Sequence, residues 1–89
     1  MAADAEPSVL AKLTEFTRDE LASEQEAADI TPTTPLLQWG VLKSLETARM
    51  IAYIREEFDV FVPPTHVTNT NFRDLESIAA MVHELRATA

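Results

Sequence analysis

The sequence predicts an all-α bundle: three longer helices and one short third helix, with a long ordered loop between the first two. Apolar residues recur at steps of three and four in three separate stretches, the period of a helix that buries one face. The chain's single glycine and most of its five prolines fall between those stretches. One short alternating piece, Asp59-Val-Phe-Val-Pro-Pro64, has no second strand to pair with, so a sheet is not expected.

The first helix is expected to open at Asp4, Glu6, Pro7 and Ser8. Proline suits a first helical turn, and acids suit the positive end of the helix dipole. Val9, Leu10, Leu13, Phe16, Thr17 and Leu21 then make one apolar stripe, which fades near Glu24 to Ala28. The stretch Ile30-Thr-Pro-Thr-Thr-Pro-Leu-Leu-Gln-Trp-Gly40 cannot be regular helix. Its two prolines bias their predecessors towards extended backbone. Ile30, Leu36, Leu37 and Trp39 predict that this loop packs over a core.

The second helix runs from about Ser44 to Phe58. Thr47, Met50, Ile51, Ile54 and Phe58 face inward, and Glu46, Arg49, Tyr53, Glu56 and Glu57 face outward. In the extended link that follows, Val60 and Val62 tuck inward. Pro64 to Thr68 suggests a single helical turn. The last helix has Asp74 as its N-cap and Leu75, Ile78, Ala79, Val82 and Leu85 as its buried stripe, with Phe72 closing the bundle end. One domain over 7–87 is expected, between a flexible tail at 1–6 and a short one at 88–89.

Composition narrows the function. A formal net charge of −8, with seven scattered basic residues, argues against nucleic acid as a partner. No Cys is present, so a disulfide framework, a Cys-based metal site and a protein thiol nucleophile are excluded. His66 and His83 stand apart, and no zinc or EF-hand spacing surrounds them. No stretch reaches the length of a membrane span, and the start lacks the features of a signal peptide. A cytoplasmic monomer without metal is therefore expected.

The informative segment is Trp39-Gly-Val-Leu-Lys-Ser-Leu-Glu-Thr47. Gly40, four residues before Ser44, marks a sharp change of direction. Ser44 stands at or just before the first turn of the second helix, beside unpaired backbone N–H groups. A phosphate esterified to its hydroxyl meets a favourable field there. The bland alternative is that Ser44 only caps the helix.

Residues Thr34 to Ala48 resemble the attachment loop of acyl and peptidyl (aminoacyl) carrier proteins. In that family a Gly, two intervening residues and usually an Asp precede Ser-Leu at the start of the second helix. Ile51 to Pro63 is similar to the family's helix end and extended Val-x-Val/Ile-Pro link, and Asn71 to Ala79 to the lead-in of its last helix. The resemblance spans about residues 8–87 and implies a four-helix bundle of acyl-carrier type. It further implies a non-enzymatic carrier in which Ser44 bears 4′-phosphopantetheine donated by coenzyme A. The arm's thiol would hold an acyl or aminoacyl group as a thioester.

The partners so implied are a phosphopantetheinyl transferase, an adenylating ligase or acyltransferase, and downstream synthase or transferase enzymes. The pathway implied is a specialised one, of polyketide, nonribosomal peptide or related type. Lys43, Leu45, Glu46, Arg49, Arg55 and Glu56 are the expected partner-recognition residues. Trp39, Ala48, Ala52, Ile54, Val62 and Val67 are candidate contacts of the arm or cargo, with loop anchoring the alternative role for Trp39. Lys43 departs from the family, whose members carry Asp there, or His in many peptidyl carriers. That departure keeps open a second reading, an unmodified four-helix adaptor or regulatory protein of the same shape.

Overall fold

The computed structural model describes residues 8–88, with the backbone alone at Thr88. The expected helix-start residues Asp4, Glu6 and Pro7, and the tail at 1–6, lie outside the described residues. Ser8 itself is the N-cap of α1, Val9–Phe16, and its hydroxyl accepts the Ala11 N–H at 3.0 Å. The helix continues as a π-helical turn, Thr17–Leu21, closed by Ala22 N–H donating to the Thr17 carbonyl at 2.9 Å. Thr17 is fully buried at this change of pitch, and its hydroxyl donates to the Leu13 carbonyl at 2.8 Å.

Here the structure corrects the expected gradual fade. The chain leaves the helix at Ala22, and Ser23 opens a separate short α2, Glu24–Ala27. Ser23 Oγ accepts from Glu26 N–H at 3.2 Å, and Glu26 Oε1 accepts from Ser23 N–H at 3.0 Å. This reciprocal capping box satisfies two donors that a helix start would otherwise leave orphaned.

The long loop is part of the core. Ile30 and Leu36 are fully buried, as are Val41 and Leu42 to within a few per cent. Backbone bonds clamp the loop to the beginning of the last helix. Leu36 N–H donates to the Arg73 carbonyl at 2.9 Å, and Glu76 N–H donates to the Pro32 carbonyl at 3.0 Å. The second bond occupies a first-turn N–H that has no partner within its own helix. One expectation fails in this loop: Trp39 does not anchor it, because its side chain is half exposed while Leu36 fills the core instead.

The predicted second helix is α3, Ser44–Phe58, and it buries Met50 and Ile54. It ends at Asp59, whose left-handed backbone (φ 56°) lets its N–H donate to the Arg55 carbonyl at 3.0 Å. Tyr53 is not outward as expected. It stacks on Phe16 at 4.0 Å, meets Phe58 edge-on at 5.8 Å, and donates its hydroxyl to the Lys12 carbonyl at 3.3 Å. A tyrosine at the edge of a helix's apolar face can bury its ring and keep its hydroxyl bonded, which polarity patterning alone does not reveal. Glu57 is on a solvated face as expected, and there it pairs with Lys12 at 2.7 Å and links α3 to α1. A pair this accessible contributes about 0–1 kcal/mol.

Val60 and Val62 are buried in the extended link, and Pro64–His66 forms a single 3-10 turn. The last helix, α4, spans Leu75–Thr88 and packs against α1. Phe72, Leu75, Ile78, Ala79, Met81 and Val82 join the residues above in one core. Asp74 is its N-cap: Oδ1 accepts the Ser77 N–H at 2.8 Å. Burial pushes the Asp74 carboxyl up, but the Ser77 hydrogen bonds and the neighbouring Arg73 outweigh it and hold the group below its ordinary value.

Because the folded-state pKa is depressed, the stabilisation is present above the unfolded value and is lost as pH falls through the folded one. Asp74→Ala is expected to cost about 1 kcal/mol at neutral pH. Asp74→Asn keeps a capping oxygen, so it should lose less while flattening the acid limb of stability against pH. Urea unfolding across that range checks both.

Candidate functional site at the start of α3

The loop delivers the chain to α3 through a turn that requires glycine. Gly40 has φ 77°, a left-handed conformation costly for any residue with a Cβ, and its N–H donates to the Leu37 carbonyl at 3.2 Å. Val41 N–H and Leu42 N–H both donate to the Leu36 carbonyl, at 2.9 and 3.3 Å. With the side chains of Val41 and Leu42 buried, the backbone is held from both sides immediately before Lys43.

Lys43, not Ser44, is the N-cap of α3. Its carbonyl accepts the Thr47 N–H at 2.8 Å, and its own N–H donates to Glu46 Oε1 at 3.2 Å. The return half of a capping box is missing, because an ammonium has no acceptor to offer a backbone N–H. Ser44 is the first residue of the helix, exposed, and its hydroxyl makes no hydrogen bond among the described residues. Capping therefore does not account for Ser44. Its hydroxyl stands beside first-turn N–H groups that lack intrahelical partners.

Beside Ser44 runs a shallow groove of ≈ 530 Å³, between α3 and the segment after the 3-10 turn. Thr47, Ala48 and Ile51 of α3 line one wall, and Leu37, Leu42 and Val67 the other parts. Of the candidate arm or cargo contacts, Ala48 and Val67 lie in this groove. Ile54 and Val62 do not: both are buried in the core. Ala52 lies on a different face, in a groove with Phe16, Arg49, Tyr53 and Glu56. The two grooves sit on either side of one helix, each marked by positions at i, i+3, i+4 and i+7. That spacing, counted from Ser44, gives Thr47, Ala48 and Ile51, and so contained the signal for Thr47 and Ile51.

The six expected recognition residues do not share one surface. Leu45 is two-thirds exposed next to Ser44, which removes its alternative as a partly buried core residue. Glu46 is occupied by the Lys43 N–H. Arg49 reaches back to the π-helical turn, donating to the Glu20 carbonyl at 3.1 Å and to Glu20 Oε1 at 3.3 Å. Glu56 flanks the groove over Tyr53, and Arg55 lies at the far end of the helix. His66 Nε2 is 3.9 Å from Glu84 Oε1, and among the described residues no group of three or more His, Cys, Asp or Glu could hold a metal ion. No described helix is long and apolar enough to cross a membrane.

An all-α bundle that presents an uncommitted serine hydroxyl at the head of a helix has the layout of a carrier domain. Comparison of the sequence with known families agrees, and the chain belongs to the family described as the phosphopantetheine attachment site, which it matches over residues 11–82. Members of that family bear 4′-phosphopantetheine covalently and interact with phosphopantetheinyl transferases and biosynthetic enzymes. Carrier domains are generally not catalysts themselves.

A curated relative is aminoacyl carrier protein 1 of Bradyrhizobium diazoefficiens, 34% identical over 56 residues, 63% of this chain. The match spans 61% of that relative's length. The fold is similar to that of a chain in a crystal structure described as an FAD-dependent dehydrogenase. The TM-score is 0.75 and the identity 30%, over 80% of this chain and 99% of the other.

Proposed function

We propose that Ser44 is the attachment point of the arm, and that the protein carries an aminoacyl or short acyl group for the enzymes of a specialised biosynthetic pathway. The observation that carries this reading is the exposed Ser44 hydroxyl at the first position of α3, free of any capping duty. The residues fit the group. A phosphodiester on Ser44 meets the positive helix end and the Lys43 ammonium, both attractive to its charge. Val67 and Ala48 offer apolar surface to the arm or its cargo. When bound, the arm supplies the thiol that a chain without Cys lacks.

Cargo of modest size suits the groove. Met50, Ile54, Val62 and Ile78 are buried in one packed core, so a long acyl chain entering the interior would have to displace packed side chains. Resemblance to an aminoacyl carrier supports an amino acid as cargo, loaded by a separate adenylating ligase. Downstream, a flavin-dependent dehydrogenase is one partner class supported by the structural match. The chain matched there is almost wholly covered by four-fifths of this one, so it is of carrier size.

Intact-mass measurement after incubation with coenzyme A and a broad-specificity phosphopantetheinyl transferase tests the attachment. The expected result is a gain of one phosphopantetheine group, absent in Ser44→Ala. Persistent lack of modification with several competent transferases would favour the unmodified adaptor.

A further inference from the structure

At the pole of the bundle opposite Ser44, the extended link forces an aromatic side chain outward. Val60 and Val62 are buried, so the intervening Phe61 must point to solvent, and it is 65% exposed. Around it, Phe58 and Leu85 line a groove of ≈ 490 Å³ whose polar rim is Arg55, Arg86 and Asp59. Neither arginine forms an ion pair among the described residues, although the chain has fifteen acids against seven bases. Two uncommitted guanidinium groups beside a surface phenylalanine are therefore a local exception in an acidic protein.

We propose that this groove is a second docking surface, for a short acidic segment of a partner protein that carries an aromatic or aliphatic anchor. The anchor packs on Phe61, Phe58 and Leu85, and carboxylates pair with Arg55 and Arg86. Charge complementarity selects this occupant. On the groove's own rim two guanidinium groups stand against one carboxylate, Asp59, and at physiological salt charges farther away than about 8 Å are largely screened from a short segment. An anionic membrane plane, by contrast, would face the whole molecule's negative field. Helix α3, fifteen residues long, separates this groove from Ser44 by about 20 Å at 1.5 Å per residue. A partner held there leaves the Ser44 end uncovered.

The test is a titration of the 89-residue chain, followed by backbone amide shifts. One synthetic peptide is composed of Asp, Glu, Leu and Phe, and a second has Lys in place of every acid. The acidic peptide is expected to shift residues 55–61 and 85–86, and to bind at least about tenfold more weakly to Phe61→Ser. The Arg55→Glu/Arg86→Glu double variant should reverse the preference and take the basic peptide. All three positions are exposed or lie on the groove's rim, and an unchanged spectrum in the free variants checks that the fold survives. Equal binding of both peptides by the unaltered chain, or shifts confined to the Ser44 end, would overturn the proposal. So would tighter binding to anionic phospholipid vesicles than to the peptide, or self-association of the chain that Phe61→Ser abolishes.

Discussion

Leu36→Ala is expected to lower the stability by about 2–5 kcal/mol, because it empties a fully buried site in a small core. An 89-residue domain has about 4–13 kcal/mol in total, so the variant should be near its unfolding midpoint in mild denaturant. The effect should not stop at stability. The Leu36 backbone binds the Arg73 carbonyl on one side and receives the Val41 and Leu42 N–H groups on the other. Loosening this residue frees the turn that delivers the chain to Ser44. Amide hydrogen exchange at 40–44 should therefore accelerate more than exchange at 78–82 on α4. Leu37→Ala, at a half-buried neighbour, should cost clearly less, and urea unfolding followed by circular dichroism ranks the two.

Lys43→Asp is expected to have opposite effects on two readouts. The N-cap position favours an acceptor side chain, and a positive charge at the positive end of the helix dipole is unfavourable. Supplying a carboxylate there should stabilise the unmodified protein by about 1–2 kcal/mol. It also restores the residue usual in the carrier family, so a broad-specificity transferase should modify the variant about tenfold faster or more, a change of about 1.4 kcal/mol in transition-state binding. In the modified protein the ammonium would instead place an attractive charge beside a phosphodiester on Ser44. Lys43→Gln separates the two effects, since it removes the charge without restoring the carboxylate. A Lys43→Asp variant that is both less stable and no better a substrate would contradict this account of the position.

Much of this fold could be read from residue spacing, for identifiable reasons. The stripes on α1 and α4 are periodic and end at residues with strong local preferences, so Ser8, Gly40 and Asp74 act where their chemistry places them. Val60 and Val62 followed from simple alternation. Elsewhere the periodicity misled, because it reports polarity and not geometry. The apolar pattern runs on past Thr17, yet the π-helical turn shifts the phase and the chain breaks at Ala22. A Ser-x-x-Glu signature at Ser23 and Glu26 marked the new start.

Tyr53 and Trp39 exchanged their expected places, the one stacked on Phe16 and the other half exposed. Both have an apolar body and a polar tip, so sequence leaves their burial open. At the candidate site, the loop and the serine proposed for attachment were legible in the Gly-x-x-Lys-Ser-Leu order. Of the groove's lining, Ala48 and Val67 were among the expected contacts, whereas Leu37 and Leu42 were not, because they precede Ser44 in an irregular loop whose path no periodicity reports.

Peptide-level mass spectrometry of the protein purified from its own cells, with its pathway running, examines the covalent link directly. The peptide containing Ser44 is expected to carry one phosphopantetheine group on that hydroxyl, with an aminoacyl or short acyl thioester on a fraction of the molecules. Finding that peptide unmodified while the partner enzymes turn over normally, or finding the group on Thr47 instead, would contradict the account.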